Sequence, residues 1–367
     1  MSRHHLNLSR IERAHRLLDD AVARRVIPGG VALVGTGDGW LPPHATGLAV
    51  DTPERSIAAS PNTVYDLASL TKVTATLPAM LLLLQNGVAD AQAPVAEVFE
   101  EWGGDESKTS ITLVHLLTHT SGLPAHRDFY SHGWSPEEVL CEVMATPLEY
   151  MPGTGYVYSD LGYIVLGEWV RRVTGETLDA FVRQRIYEPL NMRDTTYQPP
   201  EEWHERIAAS EYREHLGRHQ WGEVNDDNAW ALGGVSGHAG LFGAAGDLAQ
   251  YVDHCWSPWK AAPDGPLSRA VTEAALRNHA ADVGAQRGLG WVLRGDVWDP
   301  SGQCMSPSSF GHTGYTGTSI WIDPARELKI ILLTNRVHSG LSGEIVGLRR
   351  RFHNVVASAC TSLVASK

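Results

Sequence analysis

Short apolar segments typical of β-strands lie near both ends of this chain, and segments with helical periodicity lie between them. Near the beginning, residues 29–36 (GGVALVGT) are apolar and β-branched, and residues 45–50 are a suitable hairpin partner for them. Near the end, strands are predicted over 288–293, 316–323 and 329–334 (KIILLT), and the last is apolar enough to be buried. The predicted elements thus follow a β–α–β order along the chain.

Four segments have the apolar spacing that predicts an α-helix: 11–26, 69–85, 162–173 and 346–365. Pro78 lies inside the second of them, where it removes one backbone donor and is expected to bend the helix. With 367 residues, 43% of them hydrophobic, the chain can bury a large core as one domain or as two interleaved ones.

Charge and cysteine content argue against several classes of protein. The formal net charge of −12 disfavours nucleic acid and anionic membrane surfaces as partners. The cysteines are far apart and lack a Cys-x-x-Cys pair, which favours free thiols over a disulfide framework. Residues 1–10 are polar without the apolar core of a signal peptide, and the apolar segment 79–84 is too short to span a bilayer. We therefore expect a cytoplasmic protein without a membrane span, unless a leader has been removed.

The tetrapeptide 69–72 (Ser-Leu-Thr-Lys) places a hydroxyl and an amine on one face of a helical turn, because residues three apart on a helix are neighbours. Asp66 is suited to cap that helix, which leaves Ser69 in the first turn, where backbone N–H groups favour developing negative charge. A serine needs a base to become a nucleophile, and a partly buried lysine such as Lys72 can serve. On its own the pattern also fits a solvated helix face.

Two further motifs follow in the chain, 158–160 (Tyr-Ser-Asp) and 312–314 (His-Thr-Gly). The order Ser-x-x-Lys, Tyr-x-Asn, Lys-Thr-Gly is the pattern of the penicillin-recognising serine hydrolases. This chain matches the first motif fully and each of the others with one substitution. Longer stretches agree, namely 65–72, 111–124, 156–167 and 237–249. From about residue 10 to the C-terminal helix, the chain resembles the class C β-lactamase-related family, which includes esterases, D-aminopeptidases and cell-wall amidases.

The resemblance implies a β-lactamase/transpeptidase-like fold of the α+β class. In that fold an antiparallel sheet, made from both chain ends and flanked by helices, carries an inserted, mostly helical region. Residues 1–66 and 285–367 are expected to form the sheet region, and residues 67–284 the helical region. The active site is expected to lie between them.

The resemblance also implies a role for each motif residue. Ser69 is the predicted nucleophile, and Lys72 is its base or its electrostatic partner. Tyr158 is predicted to carry the second proton transfer, to the leaving group. The backbone N–H groups of Ser69 and Tyr315 form the implied oxyanion hole, and Gly314 lets the strand approach the substrate closely.

Asp160 stands where the family often has Asn. Desolvation beside a second positive group would lower the pKa of Lys72, but a carboxylate nearby favours the charged ammonium and opposes its action as a free base. Two outcomes are open. Either Tyr158 becomes the main base, or Asp160 points away and only caps the helix that begins at Leu161.

His312 stands where penicillin-binding enzymes have the lysine of Lys-Thr-Gly. A histidine is largely neutral near pH 7, so it anchors an anionic substrate less strongly than lysine does. This substitution weakens the case for efficient β-lactam hydrolysis and favours neutral esters or amides. We expect a substrate-binding set of Asp160, His312, Thr313, Gly314 and His238, although a buried, fully bonded histidine is an equal alternative for His238.

Several other polar or aromatic features favour structural roles. His215 and His219 have the spacing of a zinc pair but lack an evident third ligand, so a solvated helix is expected, with neither metal nor cofactor. Residues 226–228 lack the glycine and distal glutamate of a calcium loop and predict a turn. His119 is expected to be structural. Some tryptophans either line an aromatic pocket or belong to the core, namely Trp221, Trp230, Trp256 and Trp259.

We therefore predict a serine acyl hydrolase that acts through a Ser69 acyl-enzyme on ester or amide bonds of small substrates, with weak or no β-lactam hydrolysis. One alternative is a peptidoglycan-fragment amidase or D,D-peptidase, since residues 226–242 resemble a stretch of some cell-wall-fragment amidases. The other is a catalytically lapsed β-lactam- or peptide-binding domain, in which Asp160 and His312 have ended turnover. The sequence predicts no oligomeric state.

Overall fold

The computed structural model describes residues 4–259, 265–340 and 343–362. Its α-helices are α1 (Leu8–Ala23), α2 (Leu77–Gln85), α3 (Leu113–Leu117), α4 (Pro136–Ala145), α5 (Asp160–Thr174), α6 (Leu178–Val182), α7 (Asp227–Ala231), α8 (Ala245–Cys255), α9 (Arg269–Ala275) and α10 (Glu344–Ala359). Its strands are β1 (His4–Leu6), β2 (Gly29–Thr36), β3 (Gly39–Trp40), β4 (His44–Asp51), β5 (Ser56–Ala58), β6 (Val64–Asp66), β7 (Thr195–Tyr197), β8 (Tyr212–Arg213), β9 (Arg218–His219), β10 (Leu241–Ala244), β11 (Val292–Leu293), β12 (Phe310–Thr313), β13 (Ser319–Asp323), β14 (Leu328–Thr334) and β15 (Cys360–Ser362).

An antiparallel sheet built from both parts of the chain lies at the centre of the fold, which confirms the predicted class. Its strands follow the order β11-β12-β13-β14-β2-β4-β5, and β3 pairs with β2. The early and late strands meet where β14 pairs with β2, from Lys329 opposite Gly35 to Thr334 opposite Gly30. The predicted hairpin partner of β2 lies within β4. A smaller antiparallel sheet has the order β6-β10-β7.

Alternate side chains of β14 enter two different cores. Ile330 and Leu332 pack in a cluster with residues of α1 and α10, whereas Ile331 and Leu333 pack in a cluster with the helices of the middle segment. Successive side chains of a strand point to opposite faces, so both faces of the sheet are covered here. This explains why the sequence of β14 is a continuous apolar run rather than an alternation.

Several elements near the end of the chain are shorter than predicted. Only Val292–Leu293 is a strand within 288–293, because Gly290 has a φ of +79°, outside the extended region. The predicted helix 346–365 ends at Ala359, and β15 begins at the next residue, Cys360. Its last predicted residues, 363–365, lie outside the described residues.

The segment predicted as one bent helix consists of three helical segments of different type. A 3₁₀ turn spans Ala68–Leu70, a π-helical turn spans Lys72–Thr76, and α2 follows. Pro78 lies in the first turn of α2 and has no N–H for the carbonyl of Thr74, which accepts a hydrogen bond from the Tyr187 hydroxyl at 3.1 Å instead. Pro78 therefore marks the change from π- to α-geometry.

The combined segment Ala68–Gln85 is long and apolar enough to cross a membrane, but 83% of it is buried inside the fold. Its apolar side chains pack in the larger core cluster together with those of α5 and α8. The composition of this segment is thus explained by burial in the protein interior.

Two local predictions in the middle of the chain are wrong. His219 lies in β9, which forms a hairpin with β8, and His215 lies between these strands, so the two do not share a helix face. His219 donates from Nδ1 to the Ser210 carbonyl at 2.9 Å. Residues 226–228 begin α7 instead of forming a turn, because the Asp226 carboxylate caps this helix and accepts from the Ala229 N–H at 2.8 Å.

Asp247, at the start of α8, is a buried carboxylate that faces the beginning of β7. Its Oδ2 accepts from the Asp194 backbone N–H at 2.6 Å and from the Thr195 hydroxyl at 2.9 Å. Burial raises the pKa of Asp247 to about 6, although these donors oppose the shift. Because the native pKa exceeds the ordinary value of 3.8, ionisation of Asp247 destabilises the folded state as pH rises between these values.

We expect Asp247→Asn to stabilise the protein at neutral pH. The amide oxygen can accept from both donors without carrying a charge, so the free energy of unfolding should increase by about 1–3 kcal/mol at pH 7.5 and much less near pH 4. Urea denaturation of both proteins at the two pH values measures this difference. An equal effect at both values would contradict the assigned ionisation.

Candidate active site

The ammonium of Lys72 is completely buried and has three oxygen atoms close to it. It forms an ion pair with Asp160 at 2.7 Å and donates to the His238 carbonyl at 3.0 Å and to the Ser69 hydroxyl at 3.1 Å. Burial disfavours the ammonium, but Asp160 and then Tyr158 more than offset this, so the pKa of Lys72 lies above its usual value. Lys72 is therefore a charged partner of Ser69 at neutral pH, and its interpretation as a free base is not supported.

Ser69 is presented by a strained turn. Ala68, directly before it, has a φ of +47°, in the left-handed region that costs a non-glycine residue about 1–2 kcal/mol. The N-cap position of this turn is Leu67, not Asp66 as predicted, but the Asp66 carboxylate accepts from the Ala68 N–H at 2.7 Å and from the Asn225 N–H at 2.6 Å. Ser69 is partly exposed between buried neighbours, which leaves its hydroxyl open to the adjacent cavity.

Asp160 turns toward Lys72, so the alternative in which it points away and caps α5 does not hold. The cap is Ser159, whose hydroxyl accepts from the Gly162 N–H at 3.2 Å. With the cap supplied by the preceding residue, the Asp160 carboxylate is available for the ammonium. Of the two outcomes that the sequence left open, the one in which Asp160 points away from Lys72 is excluded by this ion pair.

The Tyr158 ring lies between the ammonium and two other rings. Its centroid is 5.0 Å from Lys72 Nζ, 4.4 Å from the His119 ring and 5.3 Å from the Trp298 ring. His119 accepts from the Ser159 N–H through Nδ1 at 3.0 Å, and burial, followed by neighbouring positive charges, lowers its pKa well below the usual range. His119 is thus a neutral, structural residue that packs against Tyr158, as expected.

His312 lies in β12 at the same site, and it is buried and neutral. Its Nδ1 donates to the Thr313 carbonyl at 2.9 Å, which leaves Nε2 without a proton. Burial, and then the charges of Arg287 and Lys72, lower the pKa of His312 well below its usual range. The expectation that His312 lacks the permanent charge of a lysine is therefore supported.

The turn after β12 is held tightly against the segment that carries the serine. Thr316 donates its hydroxyl hydrogen to the Asp66 carbonyl at 2.7 Å, and Thr318 donates to the Leu67 carbonyl at 3.0 Å. A Cβ at Gly314 would lie 2.1 Å from Thr318 Oγ1 and 2.4 Å from the Leu67 oxygen. Only glycine fits at this position, because the turn lies directly against Leu67 and Thr318.

A cavity of about 860 Å³ brings the three motifs together. The predicted residues that line it are Ser69, Tyr158, Asp160, His312, Thr313, Gly314 and Tyr315. Tyr315 is fixed by Arg336, which donates from Nε to its carbonyl at 2.8 Å. The two residues predicted to supply oxyanion N–H groups therefore meet at one cavity.

His238 is not among the residues that line this cavity. Its Nδ1 contacts the Ser236 hydroxyl and its Nε2 contacts Asp226 Oδ1, both at 2.8 Å. The structure thus favours the alternative of a fully bonded, buried histidine. The backbone carbonyl of His238, rather than its ring, serves the site through Lys72.

Some lining residues were not predicted, namely Asp226, Arg287, Trp298 and Arg349. None of the four proposed pocket tryptophans lines the cavity, and Trp256 belongs to the core. Arg287 directly precedes the predicted strand 288–293, and a charged residue beside an apolar strand is a signal that could have drawn attention to it.

An antiparallel sheet with a Ser-x-x-Lys helix and a facing tyrosine defines a protein of the β-lactamase/transpeptidase fold. The family model described as Beta-lactamase matches residues 14–353, and the chain belongs to this family. A Salmonella enteritidis protein named "Putative D-alanyl-D-alanine carboxypeptidase" is 33% identical over 311 residues, which are 77% of this chain and 72% of that protein.

Solved structures share the fold at lower sequence identity. EstCE1, described as a hydrolase with promiscuous acyltransferase activity, has a TM-score of 0.75 at 21% identity, with 95% of this chain and 99% of that chain covered. Simvastatin synthase (LovD) from Aspergillus terreus has a TM-score of 0.72 at 20% identity, with 95% and 98% covered.

We expect Gly314→Ala to abolish most activity, because the new methyl group forces the β12 turn away from Leu67 and moves the Tyr315 N–H. A displacement of about 1 Å should lower kcat/KM for an ester by about 100-fold. Gly246→Ala is the matched control, since a Cβ at that exposed helix position meets nothing within 4 Å. Equal rates for the two variants would contradict the tight approach.

Proposed function

We propose that this protein is a serine acyl hydrolase in which Ser69 forms an acyl-enzyme with esters or amides of small substrates. The contact between the charged Lys72 and the Ser69 hydroxyl, beside a cavity that Tyr158 also lines, carries this proposal. Membership of a family that includes serine hydrolases supports it.

The proton of Ser69 needs an acceptor other than Lys72, because a charged ammonium has no lone pair to accept it. The phenol oxygen of Tyr158, whose ring centre lies 5.0 Å from the Lys72 ammonium, takes this proton as the Ser69 oxygen attacks the carbonyl carbon. The N–H groups of Ser69 and Tyr315 stabilise the oxyanion. Tyr158 then protonates the leaving group, and water releases the acyl group from Ser69 by the reverse transfer.

Hydrolysis of β-lactams is proposed to be weak or absent. These substrates carry a carboxylate that a lysine of Lys-Thr-Gly would hold, and the neutral His312 cannot hold it by charge. A D-alanyl-D-alanine carboxypeptidase is the second candidate, supported by the name of the Salmonella relative. A binding domain without turnover is not favoured, because Ser69 and Lys72 are in hydrogen-bond contact.

Ser69→Ala tests the proposed nucleophile. We expect wild type to hydrolyse p-nitrophenyl butyrate and to hydrolyse nitrocefin far more slowly, and the variant to lose ester turnover by at least about 10³-fold. Mass spectrometry of the intact wild-type protein during turnover should show one added butyryl group, located on Ser69. Ser358→Ala, at an exposed site on α10, is the control.

Turnover that survives in Ser69→Ala would overturn the proposal. Acylation of Ser69 without release would indicate the lapsed binding domain. Cleavage of a D-alanyl-D-alanine peptide faster than the ester would favour the carboxypeptidase.

We expect Tyr158→Phe to lower kcat/KM for the ester by about 10²–10⁴-fold, the usual contribution of a general base. The ring still packs on His119 and Trp298, so the free energy of unfolding should change little. Tyr212→Phe, at an exposed residue of β8, is the matched control. A Tyr158→Phe variant with wild-type rates would assign the proton transfer to another group.

A further inference from the structure

The carbonyl of Gly314 belongs to the same peptide group as the N–H of Tyr315, which the proposed function assigns to the oxyanion. This carbonyl accepts two hydrogen bonds, from the Gly317 N–H at 3.1 Å and from Arg349 Nη2 at 2.9 Å. The N–H of Tyr315 itself donates to no protein acceptor among the residues that the structure describes. The carbonyl side of this peptide group is thus fully bonded, whereas its N–H is available to a substrate.

Arg349 holds both ends of the turn that follows β12. It lies on α10, is 5% exposed, and donates from the same Nη2 to the Thr318 carbonyl at 2.7 Å. That carbonyl also accepts from the Gly314 N–H at 2.7 Å. The α10 neighbours Leu348 and Phe352 pack in the core cluster with α1, so the helix that presents Arg349 is itself firmly placed.

The charge of Arg349 is directed at the backbone rather than at a carboxylate. Burial, followed by the charge of Arg336, lowers the pKa of Arg349 to about 9, so the guanidinium is still charged at pH 7.5. Hydrogen bonds from a charged donor are roughly twice as strong as those between neutral groups. Such a donor on the Gly314 carbonyl strengthens the N–H of the same peptide group, because linked hydrogen bonds polarise one another.

We propose that Arg349 is a positioning residue of the oxyanion hole, which fixes and polarises the peptide group between Gly314 and Tyr315. The proposal rests on the proposed acyl transfer to Ser69. Negative charge on the substrate oxygen develops only as the tetrahedral state forms, so the support that Arg349 gives should appear in kcat rather than in KM.

A second arginine at this turn acts on a different peptide group. Arg336 donates from Nε to the Tyr315 carbonyl at 2.8 Å, and that carbonyl shares its peptide group with the N–H of Thr316. Arg336 therefore restrains the turn, but only Arg349 bonds the carbonyl that is coupled to the oxyanion donor.

Arg349→Met should lower kcat for p-nitrophenyl butyrate by about 30-fold and change KM by less than about 3-fold. Methionine keeps an apolar side chain but has neither donors nor charge. Arg349→Lys retains the charge on a shorter side chain, so a smaller loss of about 5-fold is expected, and it carries the test if Arg349→Met does not fold. Arg351→Met and Arg351→Lys, at an exposed position of α10, are the matched controls. Urea denaturation identifies the variants that fold.

A boronic acid measures the oxyanion hole separately from the reaction rate. The boron of propylboronic acid bonds to the Ser69 oxygen as the hydroxyl proton is released, and the tetrahedral boronate places an oxygen where the oxyanion of a butyryl ester forms. Its dissociation constant should rise in each Arg349 variant by about the same factor as kcat falls. A role in stability alone would change the free energy of unfolding without changing this dissociation constant.

Wild-type kcat in the folded Arg349 variants would overturn the proposal. A loss of kcat without weaker boronate binding would also overturn it, and so would a rise in KM alone. Failure of the proposed function gives a different result. Boron NMR would then show no tetrahedral adduct with wild type that is lost in Ser69→Ala.

Discussion

The buried ammonium of Lys72 is the interaction on which the rest of the site depends. An ammonium without water must have an acceptor for each N–H, and here the acceptors come from three separate parts of the chain: Ser69, Asp160 and the carbonyl of His238. The start of α5 and the segment before β10 are therefore held to the serine turn by one charge. The same charge lies 5.0 Å from the centre of the Tyr158 ring.

Much of the fold could be predicted because it is encoded locally. The apolar run of β14, the glycine-rich β2 and the amphipathic α1 each carry a periodicity that needs no knowledge of their partners. The motif residues Ser69, Tyr158 and Gly314 meet at one cavity for a related reason, since each is recognisable within a few neighbouring residues.

The features of the site that could not be predicted depend on which side chains meet in the folded protein. Whether Asp160 faces Lys72 was decided by Ser159, which supplies the helix cap and leaves the next carboxylate unused. The fully bonded state of His238 is set by Asp226, and the buried Arg287 has no hydrogen-bond partner at either terminal nitrogen among the described residues. No local pattern encodes such pairings, so only the folded arrangement shows them.

The hydrogen bonds made by the threonine hydroxyls after β12 determine when the site can form during synthesis of the chain. Thr316 and Thr318 bind carbonyls that lie 250 and 251 residues earlier, and Lys72 binds a carbonyl 166 residues later. Contacts of such long range form slowly and need almost the whole chain. A ribosome that has made only the first two thirds of the protein thus holds Ser69 without the turn that packs against it in the folded protein.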